Sequence, residues 1–346
     1  MNLSFRWYDK KDPIPLKYIR QIPGMKGIVS AIYDVPVGEV WPYHKIVELK
    51  KKIEEEKLEL SVIESLPVHE DIKLGLPTRD KYIENYKQSL QNLGKAGVTV
   101  VCYNFMPVFD WTRSELKHEL EDGSTTLIFE NEKVQKMDPV KGELSLPGWD
   151  SSYEKEELHD LMRQYQNINE EKLWDNLNYF IQEVIPVAEK NNIKMAIHPD
   201  DPPWGIFGLP RIIVDQSSLE RFTNLYDSVS NGICFCTGSF GARTANNLVE
   251  MIRSFGSKNR IHFVHTRNVK ITGEDSFEET AHLSSSGDVN MLEIMKALKE
   301  VNFNGPLRPD HGRMIWGEEG KAGYGLFDRA LGATYLNGLW EAVSNT

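Results

Sequence analysis

Four short apolar segments in the second half of the chain each end on a residue that binds metals well. They are Met195-Ala196-Ile197-His198, Ile233-Cys234-Phe235-Cys236, Ile261-His262-Phe263-Val264-His265 and Pro306-Leu307-Arg308-Pro309-Asp310. Loop-forming residues and then a helical pattern follow each of them. Few folds accommodate that recurrence. In a parallel β/α barrel the carboxyl ends of the strands converge on one face, where active sites are built. Two imidazoles, a thiol and a carboxylate gathered there make a ligand set suited to a divalent transition metal. Any one of the four has an ordinary reading, since a buried cysteine usually acts as a small hydrophobe. Four at four strand ends point together to one mononuclear site.

The first half carries the same rhythm. Apolar runs at 27–32, 58–63 and 98–104 read as buried strands, and 43–57 and 80–96 read as amphipathic helices. The helix at 43–57 places Ile46, Leu49 and Ile53 on one stripe. Buried strands alternating with such helices are the signature of a parallel sheet. Regular helices resume at 171–190, 245–255, 289–301 and 326–343. With strands ending at His198, Cys236, His265, near Leu283 and at Asp310, the count is eight. Residues 105–169 break the rhythm: they are rich in Gly, Pro, Asp and Trp, with one hairpin strand at 125–129. A long irregular connection of this kind often forms a lid or binding loop. The expectation is one domain over 1–346, an α/β (β/α)8 TIM barrel with an irregular, lid-like insertion at 105–169 after strand 3.

Composition narrows the function. A chain of 346 residues with 40% hydrophobic and 26% charged side chains can bury a large core. A formal net charge of −11 argues against broad attraction to nucleic acid, so an anionic substrate needs a local cationic cluster. No apolar run approaches the roughly 18 residues of a membrane span. Residues 1–11 lack the apolar stretch of a signal peptide, and three cysteines make no disulfide framework. The expected location is the cytoplasm. No G-x-x-x-x-G-K-[ST] or G-x-G-x-x-G motif is present, although Gly238, Ser239 and Gly241 could cradle an anion.

Strand parity sorts the ligands. Side chains alternate faces along a strand, so His265 shares a face with Phe263 and Ile261 while His262 points the other way. Cys236 lies nearer the strand end than Cys234, which is expected to pack one layer below. Arg308 shares parity with Asp310, placing a positive charge beneath the carboxylate. His44, His69, His118 and His159 stand in polar contexts and read as surface residues.

Several motifs carry a resemblance. Arg308-Pro309-Asp310-His311-Gly312-Arg313, Cys236-Thr237-Gly238-Ser239, Ile197-His198-Pro199-Asp200-Asp201-Pro202-Pro203 and Phe263-Val264-His265-Thr266-Arg267-Asn268-Val269 resemble mannonate dehydratases of the hexuronate-degrading type. So do Phe5-Arg6-Trp7-Tyr8, Gly38-Glu39-Val40-Trp41, Val62-Ile63-Glu64-Ser65 and the run from Tyr103 to Arg113. The resemblance covers nearly the whole chain. Tyr33-Asp34 stands where many relatives carry a His pair, and Asp9 where they carry Gly; neither touches the proposed ligands.

The resemblance implies a xylose-isomerase-like barrel holding Mn²⁺ or Fe²⁺, with His198, Cys236, His265 and Asp310 as ligands. The implied reaction dehydrates D-mannonate to 2-keto-3-deoxy-D-gluconate, with His311 and Tyr324 sharing the base and acid roles in an order left open. Arg308, Arg313, Asn104 and Arg113 are the expected sugar-acid contacts, Arg113 from the insertion. The partner expected is a small sugar acid, with no nucleic acid and no membrane, and the chain is expected to form a homo-oligomer. A metal-dependent sugar isomerase of the same fold, a metal-dependent endonuclease and a non-catalytic sugar-acid-binding protein are the alternatives.

Overall fold

The computed structural model describes residues 1–139 and 155–345. Twelve strands appear among them: β1 (Asn2–Arg6), β2 (Gly27–Ser30), β3 (Glu59–Glu64), β4 (Val100–Tyr103), β5 (Glu115–Glu119), β6 (Thr125–Phe129), β7 (Lys194–Ile197), β8 (Asn231–Cys236), β9 (Ile261–Thr266), β10 (Asn268–Gly273), β11 (Ser276–Thr280) and β12 (Pro306–Pro309). Eight of them close into a parallel barrel in the order β1-β12-β9-β8-β7-β4-β3-β2. Helices such as Tyr43–Glu55, Arg79–Lys95, Glu170–Lys190 and Phe327–Ser344 separate the barrel strands, as the apolar stripes predict. The first of these buries Ile46, Leu49 and Ile53. This is the expected (β/α)8 barrel.

Two strand assignments differ from the sequence reading. The first barrel strand is β1, which alternates polar and apolar residues and so lacks a continuous apolar run. Its inward residues are polar for a reason: Ser4 Oγ donates to Leu307 O at 3.0 Å, and Arg6 reaches the barrel mouth. Conversely, no barrel strand lies near Leu283, which is 48% exposed at the start of a short 3₁₀ turn. The insertion therefore follows the fourth barrel strand rather than the third.

Nor is the insertion irregular throughout. β5 and β6 pair antiparallel and join β10 and β11 in a four-stranded sheet of order β10-β11-β6-β5. The β10-β11 hairpin leaves the barrel directly after β9, so two distant segments build one sheet beside the mouth. A backbone pair fastens it to the loop after β12, with Thr125 N donating to Met314 O at 3.1 Å and Met314 N to Thr125 O at 2.8 Å. Part of the expected lid, residues 140–154, lies outside the described residues.

The barrel lumen below the mouth is a small apolar plug of Val29, Val62, Val100, Cys102, Ala196, Cys234 and Phe263. Cys234 thus packs one layer down, as parity predicts. His262 faces the helical layer, where its Nε2–H donates to Val229 O at 2.6 Å. Burial, with Lys194 nearby, pushes this imidazole down to about 4, so the fold holds it neutral. Below its ordinary value near 6.5 the unfolded chain takes up a proton that the folded ring refuses. Stability therefore falls as the pH drops from about 6.5 towards 4, with roughly 2 kcal/mol lost between pH 7 and pH 5. Urea unfolding of the wild type and of His262→Gln at both pH values should show that loss only in the wild type. Equal losses in the two proteins would remove His262 as the cause.

Candidate active site

Backbone register brings the expected ligands together. His265 on β9 is the register partner of Cys236 on β8 and of Arg308 on β12. Asp310 follows β12 and ties its N–H to Thr266 O at 2.9 Å; His198 follows β7 and ties its N–H to Tyr103 O at 2.7 Å. All four stand at carboxyl ends of barrel strands. His198, His265 and Asp310 line one cavity of about 500 Å³, and Cys236 lies beside Asp310, its sulfur 3.7 Å from Asp310 Oδ2. Ligand atoms of Cys236, His265 and Asp310 lie within 4.8 Å of one another. His198 Nε2 is 3.1 Å from His265 Nδ1.

Hydrogen placement tests whether these residues suit a cation. His198 Nδ1 lies 2.7 Å from Pro199 O and must carry the proton, leaving a bare lone pair on Nε2. His265 faces carboxylates with both nitrogens, Nε2 3.4 Å from Glu64 Oε2 and Nδ1 4.0 Å from Asp310 Oδ1. Its buried Nε2 makes no hydrogen bond among the described residues. His198 Nε2, 3.1 Å from His265 Nδ1, and the Cys236 thiol add further donors of the kinds that divalent ions take. The donor set fits a divalent ion.

Cys234 competes on distance alone, since its sulfur also lies within 4.8 Å of nitrogens of His198 and His265. Its surroundings decide against it. Burial in the plug, beside Cys102, pushes its thiol well above the usual range. Cys236 instead caps the turn Thr237–Gly241 and receives Ser239 N–H at 3.5 Å and Ser239 O–H at 3.2 Å. Gly238 in that turn serves close approach rather than anion binding: a Cβ there would sit 2.0 Å from Arg267 Nε.

Charge around the ligands is closely balanced. Arg308 Nη1 pairs with Asp310 Oδ1 at 2.8 Å, and Nη2 with Glu64 Oε1 at 3.0 Å. Burial alone would raise the Asp310 carboxyl, but Arg308, His311 and His265 hold it well below the usual range. Burial opposes ionisation of Glu64 likewise, and Arg308, His265 and Arg6 overcome it. Arg6 also donates to Glu64 O and lies over the Tyr8 ring at 4.6 Å. Deeper in, Arg113 and Arg267 share Asp201 and Glu279. Arg6, Arg113, Arg267 and Arg308 are thus matched by Glu64, Asp201, Glu279 and Asp310. A divalent ion with a thiolate ligand would add one net positive charge, equal and opposite to a sugar carboxylate.

Beside Asp310 stands a pair of proton-carrying groups. His311 Nδ1 lies 3.0 Å from both Glu279 carboxylate oxygens, and His311 Nε2 lies 3.0 Å from the Tyr324 hydroxyl. Burial, then Tyr8 and Asp310, push the Tyr324 phenol well above its ordinary value, so it keeps its proton. Gly323, at φ +79°, turns the chain so that Tyr324 enters the mouth, with the Gly323 carbonyl accepting from Gly312 N at 2.9 Å. Trp111 packs against both rings, its centroid 4.5 Å from His311 and 6.2 Å from Tyr324.

The expected sugar-acid contacts divide. Arg308 and Asn104 line the cavity, and Asn104 Nδ2 holds Asp110 at 2.9 Å. Arg113 does not line it: buried at 1% exposure, it is consumed by Asp201 and Glu279 and joins the insertion to the barrel. Arg313 sits outside as well, pairing with Asp122 at 2.8 Å and Asp328 at 3.0 Å. Sequence reasoning gave no role to Arg6, Glu64, Asp201 or Arg267 as individuals, although each falls in a quoted motif. It missed Lys321 and Glu279 altogether, because single charges in loops and outer strands look like solvated surface. Among the histidines read as surface, His69 is half-buried: it caps a helix by accepting from Asp71 N at 3.1 Å and stacks on Tyr82.

Comparison with known proteins points to one family. A sequence model of the D-mannonate dehydratase (UxuA) family matches residues 1–346. Mannonate dehydratase 2 of Halalkalibacterium halodurans is 62% identical over 345 residues, covering 100% of both chains. The mannonate dehydratase of Streptococcus uberis is 60% identical over 343 residues, covering 99% of each. The crystal structure of a mannonate dehydratase from Streptococcus suis serotype 2 superposes with a TM-score of 0.94 at 56% identity, covering 100% of this chain and 95% of that one.

Proposed function

The chain belongs to the D-mannonate dehydratase (UxuA) family, and from that premise we propose how its barrel mouth removes water from D-mannonate. The activity is that of a hydro-lyase, and the family is metal-dependent. The observation that carries the site assignment is the meeting of Cys236, His265 and Asp310 within 4.8 Å of one another, with His198 3.1 Å from His265, beside the His311–Tyr324 hydrogen bond. We assign those four as ligands of Mn²⁺ or Fe²⁺, which imidazole, thiolate and carboxylate together accommodate.

Dehydration takes the proton from carbon 2 and hydroxide from carbon 3, leaving the enol that becomes 2-keto-3-deoxy-D-gluconate. When bound, the divalent ion supplies Lewis-acid stabilisation of the negative charge that builds on the substrate carboxylate. The proton steps belong to the protein. With its hydrogen on Nδ1 towards Glu279, His311 offers the Nε2 lone pair as base. Tyr324, whose phenol holds its proton, is the acid for the departing hydroxyl. After turnover His311 carries a proton and Tyr324 lacks one. Their 3.0 Å hydrogen bond returns it and resets the pair. Arg308, Arg6, Asn104 and Lys321 orient the sugar acid from the cavity wall. Asp110 and Trp111, at the start of the insertion, line one side of the cavity.

Two wider readings accompany this one. Three unpaired cysteines, one of them a proposed metal ligand, suit the reducing cytoplasm, and no helix among the described residues is long and apolar enough to cross a membrane. The homo-oligomer expected from the sequence is supported by the exposed Trp316 and Phe327 rings, 5.7 Å apart.

The test is product formation from D-mannonate. Metal-replete protein should form the 2-keto-3-deoxy acid, lose the activity on chelation and regain it with Mn²⁺ or Fe²⁺. Turnover indifferent to chelation would contradict the metal assignment.

A further inference from the structure

The β10-β11 hairpin gives the barrel mouth a carboxylate that neither the ligand set nor the substrate contacts require. Glu279, 2% exposed, comes from β11 in the outer sheet, and its two oxygens both lie 3.0 Å from His311 Nδ1. We propose that Glu279 is the positioning residue of the proton-transfer pair, fixing the His311 hydrogen on Nδ1 so that the Nε2 lone pair faces Tyr324 and the substrate. The inference rests on the reading of His311 and Tyr324 as the groups that move protons.

The geometry favours the tautomer with its hydrogen on Nδ1. A bare Nδ1 would set its lone pair against two carboxylate oxygens at 3.0 Å. Arg267 Nη1 stands 3.2 Å from Nδ1 and, as a donor, favours the bare form. It also donates to Glu279 Oε1 at 3.0 Å, however, and a full carboxylate charge with both oxygens on Nδ1 outweighs it. The hydrogen on Nδ1 leaves Nε2 as acceptor, and the Tyr324 hydroxyl at 3.0 Å must then donate to it. Carboxylate, imidazole and phenol form one line from the outer sheet to the cavity. Such a carboxylate fixes both tautomer and ring orientation, the role carboxylates take behind ligating or catalytic imidazoles. Glu279 is itself held in place: its backbone oxygen accepts from Thr126 Oγ1 at 2.7 Å, and Arg113 Nε donates to its carboxylate at 2.9 Å. The sheet built by the two insertions thereby sets the orientation of a catalytic ring.

Glu279 also neutralises Arg113 and Arg267, so a purely structural role must be separated from positioning. The experiment is a double-mutant comparison with metal-loaded protein and D-mannonate. Glu279→Gln should lower kcat by about 10–100-fold, with metal content retained and KM nearly unchanged. In a His311→Asn background the same substitution should cost less than about 3-fold, because the group it acts through is gone. Equal fold losses in both backgrounds, or a loss confined to KM, overturn the proposal. Near-normal turnover in His311→Asn alone would instead sink the underlying role of His311, and the inference with it. If Glu279→Gln fails to fold, nitrogen-15 NMR of the wild-type imidazoles, in protein loaded with a diamagnetic divalent ion, decides. A His311 ring protonated on Nδ1 supports the proposal, and one protonated on Nε2 refutes it.

Discussion

Tyr324→Phe should fold, keep its metal and bind D-mannonate, yet turn over on the order of 10²–10⁴-fold more slowly, the usual contribution of a positioned acid or base. The variant removes one oxygen and leaves the ring, so the edge-on contacts with Tyr8 at 5.0 Å and His311 at 4.9 Å survive. What disappears is the hydroxyl at 3.0 Å from His311 Nε2. His311→Asn should show a loss of similar size. Because the two groups share one hydrogen bond and reset each other, the double mutant should be far less than multiplicatively worse. Steady-state kinetics on the three proteins measure this. A Tyr324→Phe enzyme with near-normal kcat would take Tyr324 out of the mechanism and leave His311 with water as the proton shuttle.

Loss of a ligand should do more. Cys236→Ala and His265→Ala should each strip or weaken the metal and abolish measurable turnover. His265 has a second duty that makes its loss more severe: it lies against Glu64 at 3.4 Å and Arg308 at 3.4 Å. Removing it leaves buried charges with fewer partners, and breaking such a cluster typically costs about 3–5 kcal/mol. Cys236→Ala removes the sulfur and its contacts with Ser239, Asp310 and Arg267, each of which keeps other partners, so it should fold and report on the metal. Elemental analysis beside the assay distinguishes the cases. Full metal occupancy with normal activity in Cys236→Ala would overturn the ligand assignment.

The clustering of the proposed ligands was legible in the sequence because strand chemistry is periodic. A residue at the carboxyl end of a barrel strand must face the mouth if its parity is inward, and His198, Cys236, His265 and Asp310 met both conditions. The same parity separated His265 from His262, and nearness to the strand end separated Cys236 from Cys234. β1 escaped notice because its inward positions, Ser4 and Arg6, are polar: one bonds the backbone of β12 and the other serves the cavity, so the apolar run that marks a strand is absent. A strand was instead placed near Leu283, where a run of small residues only follows the outer hairpin. Arg113 shows a second limit. Its position in the insertion promised a free positive charge, but the carboxylates that consume it, Asp201 and Glu279, lie 88 and 166 residues away. Long-range pairing of that kind leaves no local pattern. Glu279 was invisible for the same reason, although it sits in a short acidic strand that reads as solvated.

The ligand assignment can be tested directly by anomalous diffraction from crystals of the manganese- or iron-loaded protein, taken from a preparation whose turnover of D-mannonate has been measured. A single anomalous peak bonded to His198, Cys236, His265 and Asp310 in an active preparation is the expected result. An active preparation with the ion elsewhere, or with no ion at those four residues, would contradict it.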